Sequence, residues 1–186
     1  MSKYVAFLRA INVGGHTVKM DELRRLFESL GFSNVETFIA SGNVVFDAKS
    51  KNTKALERKI ETHLKQSLGY EVVTFVRTLS EVADIAAYKP FDDSKLNGEG
   101  DTVHVGFLTE PPAIEAGNKL LAMSCEADSF HIQGREVYWL RCGNFSDSEF
   151  SGALLEKTLG VRATFRNSNT VRRITTKYTV RRLATK

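Results

Sequence analysis

This chain has few cysteines, few prolines, no long apolar run and no acid near its C-terminus. Its two cysteines in 186 residues, Cys125 and Cys142, form no C-x-x-C pair. That leaves no disulfide framework and no thiol-based zinc site, and both read as small buried side chains in a reducing compartment. His16, His63, His104 and His131 are scattered without ligand spacing, so neither a metal nor a cofactor is expected. No apolar stretch approaches the roughly 20 residues of a membrane span. The N-terminal one, residues 4–8, ends at Arg9 and is too short for a signal peptide. The expected compartment is the cytoplasm, with no membrane partner. From Lys157 onward there are nine basic residues and no acidic one, which leaves 17 basic and 22 acidic residues, net −5, in residues 1–156. One end of the molecule therefore attracts anions and the rest does not.

What is present is ordinary for a globular protein: 42% hydrophobic and 26% charged residues. A chain this long buries about 70% of its unfolded surface and needs no staple. Periodicity predicts strands at 4–9, 35–40, 44–47 and 72–76, and helices at 20–30 and 53–68, the helices stopped by Gly31 and Gly69. Thr78-Leu-Ser-Glu81 is a capping box that opens a short helix ending before Pro90.

Residues 91–101 read as a linker between a first unit, 1–90, and a second, 102–186. After it the order recurs. Strands are expected at 102–108, 129–133, 136–141 and 162–165. Helices are expected from Pro111-Pro112 to Met123, from the capping box Ser146-Asp-Ser-Glu149 to Leu159, and from near Asn169 onward. The letters recur as well: VAFLR (5–9) over VGFLT (105–109), FIASGNVVF (38–46) over FHIQGREVY (130–138), and Thr74-Phe75 over Thr164-Phe165. The expected fold is α+β, a duplicated βαββαβ (ferredoxin-like) unit with mainly antiparallel sheets and an extra C-terminal helix. The alternative is one continuous α+β domain without internal symmetry. In a βαββαβ sheet the first two strands run the same way, so the loop after the first strand and the turn at Ser41-Gly42-Asn43 emerge at one sheet edge.

RAINVGG (9–15), Met20-x-x-Leu23-Arg24, SGNVVF (41–46) and ATFRNSNTV (163–171) together resemble the uncharacterised bacterial family known as domain of unknown function 1697. The likeness covers nearly the whole chain and implies a cytosolic, ferredoxin-related α+β protein. It implies no established activity. The family's signature falls on Arg9, Asn12, Gly14, Gly15, Ser41, Gly42, Asn43, Arg166, Asn167, Asn169 and Thr170. Members often carry a tryptophan after the Arg-Asn pair, where this chain has Ser168.

The glycine loop is neither a Walker motif nor G-x-G-x-x-G. Gly14 and Gly15 either form a small nest of N–H groups for an anion or simply turn the chain. Asp21 and Glu22 already complement the dipole of the following helix and disfavour a second anion there. Ser41 as a nucleophile needs a base; His16 is the candidate, and no acidic orienter is identifiable. Arg166 either binds a carboxylate or phosphate or pins an acidic side chain of the first half. Asn167, Asn169 and Thr170 suit helix capping.

Val171, Ile174 and Tyr178 share one helical face, with Arg173, Lys177 and Arg181 on another. That second face is either a solvated surface or a contact for a phosphate backbone. RNA-recognition modules share the βαββαβ order, but GNVVF in the third strand lacks their aromatic platform.

Three functions follow. The first is a binding protein for an anionic small molecule or nucleic acid, with nucleic acid leading. The second is an enzyme on a small phosphorylated or carboxylated substrate. There Arg9 and Arg166 would hold the anion, Gly14-Gly15 would supply N–H groups, and Asn12, Ser41 and Asn43 would orient the reacting group. The third is a scaffold without a ligand. Nothing in the sequence fixes an oligomeric state.

Overall fold

A computed structural model of the chain describes residues 1–12, 15–39, 42–92, 100–143 and 150–183. The first elements are β1 (Ser2–Leu8), α1 (Met20–Ser29), β2 (Ser33–Thr37), β3 (Asn43–Ala48), α2 (Thr53–Leu68), β4 (Thr74–Thr78) and α3 (Leu79–Ala87). The same order returns as β5 (Thr102–Leu108), α4 (Ile114–Leu121), β6 (Asp128–Gln133), β7 (Glu136–Arg141), α5 (Gly152–Leu159) and β8 (Ala163–Asn167), followed by α6 (Ser168–Leu183). The two four-stranded sheets have the orders β2-β3-β1-β4 and β6-β7-β5-β8, with every pairing antiparallel. The protein is thus an α+β chain of two βαββαβ units in the ferredoxin-like arrangement. Its two structural units are Met1–Asp84 with Ile174–Lys186, and Ile85–Arg173.

In the first unit, alternate β1 residues Tyr4, Ala6 and Leu8 face Leu23 and Phe27 of α1 and Leu56, Ile60 and Leu64 of α2. The other sheet face is buried too: Val5, Phe7, Val45 and Phe75 are inaccessible, and Arg77 is 1% exposed. The outward N–H groups of edge strand β4 are covered by two α2 carboxylates one turn apart. Thr74 N–H donates to Glu61 (2.9 Å) and Val76 N–H to Glu57 (2.9 Å). A lone strand edge invites pairing with another chain, and these acids remove that opportunity.

In the second unit, Leu108, Val137 and Trp139 pack against Leu120 of α4 and Leu155 and Leu159 of α5. Glu156 accepts from the Ala163 N–H at the β8 edge (2.5 Å). His104 lies beside Trp139, with ring centroids 5.9 Å apart, and its Nδ1 is buried without a hydrogen-bond partner. Burial first, and Arg141 second, hold its pKa below 6.5. The folded state therefore takes up this proton later than the unfolded state, and stability falls as pH drops below about 6.5. Urea titrations at pH 7.5 and 5.5 should show a smaller loss for His104→Asn than for the wild type. Equal losses would mean that this ring is not responsible.

Several boundaries differ from the sequence expectations. β2 runs from Ser33 to Thr37, because Ile39 has φ 51°, which no strand tolerates. Pro111 and Pro112 precede α4, whose N-cap is Ala113. The capping box at Ser146 lies outside the described residues; α5 is capped by Ser151, whose side chain accepts from Leu154 N–H (3.2 Å). The box at Thr78 is present as expected: Thr78 N–H donates to Glu81 (2.7 Å) and Glu81 N–H to the Thr78 hydroxyl (3.1 Å). Cys125 is exposed rather than buried, since it sits in the turn before β6 with its N–H bound to the Asp128 carbonyl (2.7 Å).

Candidate functional site

The two loops of the first unit do meet. Leu8 N–H donates to the Gly42 carbonyl (2.8 Å), and Phe7 stands opposite Asn43. Much of the polar signature there shapes the backbone. Asn12 adopts φ 57°, which asparagine tolerates, and its Oδ1 accepts from Val18 N–H at 2.6 Å. Gly42 has φ 72°, and a Cβ at that position would lie 2.7 Å from Ile11. Asn43 is inaccessible and closes the hairpin in both directions: its side chain donates to the Phe38 carbonyl (3.0 Å), and its own carbonyl accepts from Phe38 N–H (2.8 Å). Arg9 is half-buried and Gly15 exposed. Gly14 and Ser41 lie outside the described residues, and with Ser41 the proposed Ser41–His16 pairing. His16 stacks on Tyr70 at 3.9 Å; burial and then Glu22 raise the Tyr70 pKa. Carboxylates Asp21 and Glu22 occupy the first turn of α1.

The remaining candidate residues, Arg166, Asn167, Asn169 and Thr170, belong to the second unit. Arg166 is 8% exposed and donates to the Thr164 hydroxyl (3.0 Å) and the Phe165 carbonyl (2.7 Å). Burial pulls its pKa down to about 10, so it stays charged at neutral pH. It has a twin. Val5 opposes Arg77 in the first sheet as Val105 opposes Arg166 in the second, and Arg77 also donates to the preceding carbonyl (3.1 Å). Both arginines therefore hold the same register position in the two repeats. Asn167 accepts from Asn169 N–H (2.9 Å), and Arg172 donates to the Asn169 side chain (3.4 Å). Thr170 is half-buried.

Beside this junction lies a pocket of about 460 Å³, within the usual size range for small-ligand sites. The start of α6 supplies Ser168, Val171 and Arg172, and strands supply Val103, Val105 and Tyr138. The remaining wall is Ile85 to Phe91, including Tyr88 and Lys89. In contrast to α1, the first turn of α6 carries no acid, and the Asn169 N–H there is capped by the neutral side chain of Asn167, so no carboxylate of that turn offsets its positive dipole end. Tyr88 hydrogen-bonds His131 Nε2 through its hydroxyl (2.8 Å) and lies 5.2 Å from the Tyr138 ring. Tyr138 is buried with its hydroxyl on the Ile85 carbonyl; burial, then Glu136 and Tyr88, push its pKa far above the usual tyrosine range. The sequence reading missed Tyr88, Lys89 and Phe91. Their signal was two aromatic residues flanking a lysine and a proline at the start of an otherwise polar connector.

The face of the basic helix carrying Val171, Ile174 and Tyr178 is buried, with Val171 and Ile174 inaccessible and Tyr178 3% exposed. Lys177, however, is engaged within the first unit. It and the Tyr178 hydroxyl both donate to Glu36, each at 3.0 Å, and its ammonium lies 5.7 Å from the Phe38 ring centre. Hydrogen bonds to Tyr178 and then Glu36 raise its pKa. Arg172 and Arg173 are exposed. Among the described residues, no group of three or more His, Cys, Asp or Glu side chains is placed to hold a metal ion. No helix among them is long and apolar enough to cross a membrane.

A solved structure, that of conserved bacterial protein SP0830 from Streptococcus pneumoniae, superposes with a TM-score of 0.73 at 22% identity, covering 95% of this chain and 98% of that one. At that identity the match speaks for the fold. No curated protein matches the chain. The model of the family described as protein of unknown function DUF1697 matches residues 1–138, and this chain belongs to that family.

Proposed function

We propose that this protein binds a small anionic ligand in the pocket of the second unit, and that it works in the cytoplasm. The observation that carries this reading is the composition of the pocket wall. It combines Lys89, Arg172 and the acid-free start of α6 with the apolar faces of Val103, Val105, Val171 and Tyr138. An anion is favoured at such a helix end, and the apolar walls add burial for the rest of the ligand.

Nucleic acid is the second reading, favoured by the nine basic residues from Lys157 onward. The Lys177–Glu36 pair weakens it by neutralising one cation of the stripe. An enzymatic role for the same pocket would need a reacting group beside the bound anion. A purely structural role suits Asn43 and Arg166 best, given their burial.

One panel separates these readings. Phosphate esters and carboxylates are screened by thermal shift, with a single-stranded oligonucleotide added across a salt series. A small anion at 100 times its Kd should stabilise the protein by about 2.7 kcal/mol. Arg172→Ala should reduce that shift. Oligonucleotide binding that fades steeply with salt, with no small-anion shift, would favour the second reading. No response to any anion, even at low salt, would overturn both.

A further inference from the structure

Resting on the pocket reading above, we infer that the ligand carries a flat ring as well as its anionic group, and that Tyr88 is the surface on which the ring stacks. A nucleoside monophosphate is the ligand class that fits.

The argument starts from Tyr88, a large side chain left 36% exposed on the wall of a pocket. An exposed ring is unremarkable when it swings freely, but this one is held. Its hydroxyl is fixed on His131 Nε2 at 2.8 Å, and one side of the ring rests on Tyr138, tilted by 43°. Tyr138 is itself anchored by burial and by the Ile85 carbonyl. Fixing the ring before the ligand arrives lowers the ordering cost of binding. A prepared π face suits a base or other aromatic ring, because stacking needs no particular hydrogen-bond pattern. Lys89 and Arg172 line the same pocket and meet the charge that a phosphate ester brings. An acyl chain with a carboxylate would gain from the valines but would make no use of a fixed ring.

The test is calorimetric titration of the full chain with three probes: AMP, ribose 5-phosphate and adenosine. AMP should bind about tenfold more tightly than ribose 5-phosphate, in line with one base stacked on one aromatic ring. Tyr88→Ala should bring AMP down to the ribose 5-phosphate level while leaving ribose 5-phosphate unchanged. Tyr88→Phe keeps the ring and should retain most of the AMP advantage. It also controls for folding, which thermal melts check for both variants. Arg172→Ala should weaken AMP and ribose 5-phosphate alike and spare adenosine. Equal binding of AMP and ribose 5-phosphate would overturn the ring inference and leave the anion reading standing. Binding of adenosine alone would overturn the anion reading and the nucleoside monophosphate with it. Binding of none of the three would end both.

Discussion

Arg77→Ala should destabilise the first unit by about 3–5 kcal/mol, the range for stripping one partner from a buried charge pair. Arg77 is the largest fully buried side chain among the described residues, at 1% exposure, and its guanidinium lies 4.0 Å from Glu57. Glu57 would keep Val76 N–H and Lys54, 2.9 and 3.1 Å away, but would lose its buried cation and gain a void. The twin variant, Arg166→Ala, should cost about 2–3 kcal/mol, because the Thr164 hydroxyl and the Phe165 carbonyl lose a charged donor in the interior. Urea unfolding can follow the second unit separately. Trp139 is the only tryptophan of the chain and lies in that unit's core. Arg166→Ala should lower the midpoint of the tryptophan transition, whereas circular dichroism reports both units. An unfolding free energy unchanged to within a few tenths of a kcal/mol would show that Arg166 carries no structural load and would return it to the ligand-binding candidates. Arg77→Met, which refills most of the volume without a charge, should cost less than Arg77→Ala.

The repeated order of elements is legible in the sequence because each signal is local. Glycine stops illustrate this: Gly69 and Gly160 end α2 and α5 with φ 80° and 69°, as a left-handed helix cap requires. Strand register is less legible. The letters pair Thr74-Phe75 with Thr164-Phe165, yet opposite the equivalent leucines, Leu8 and Leu108, stand Thr74 and Ala163. Cross-strand hydrogen bonding decides that one-residue offset, and it is what reveals Arg77 and Arg166 as counterparts.

The candidate site is legible only in part. Arg172 and the start of α6 follow from charge and capping. Tyr88, Lys89 and Phe91 do not, because a pocket assembled from several separated segments has no sequence period. Lys177 is a similar case: its partner Glu36 lies 141 residues away, so a charge count records a cation where the fold has made an ion pair.

A second large effect is expected at Gly106. Gly106→Ala should destabilise the second unit by about 1–3 kcal/mol, the usual cost of overpacking. A Cβ at Gly106 would stand 2.6 Å from Phe165 Cε1, closer than any real contact allows. Trp139 meets this half-buried ring edge-on at 5.9 Å and hinders its retreat on that side. In the first unit the equivalent cross-strand pair is Ala6 with Val76, where the second unit has Gly106 with Phe165. The two repeats thus fill one site with different splits of volume between neighbouring strands, the second more uneven than the first. Phe165→Val alone should cost about 1–2 kcal/mol through the cavity it leaves. Combined with Gly106→Ala it recreates the first unit's pair, so the double variant should be more stable than the sum of the single losses by at least about 1 kcal/mol. Strict additivity in the tryptophan-monitored cycle would refute the exchange. A positive coupling would make the alanine-to-glycine difference between VAFLR and VGFLT a compensated packing choice, with the residue of one strand set by the side chain its neighbour presents.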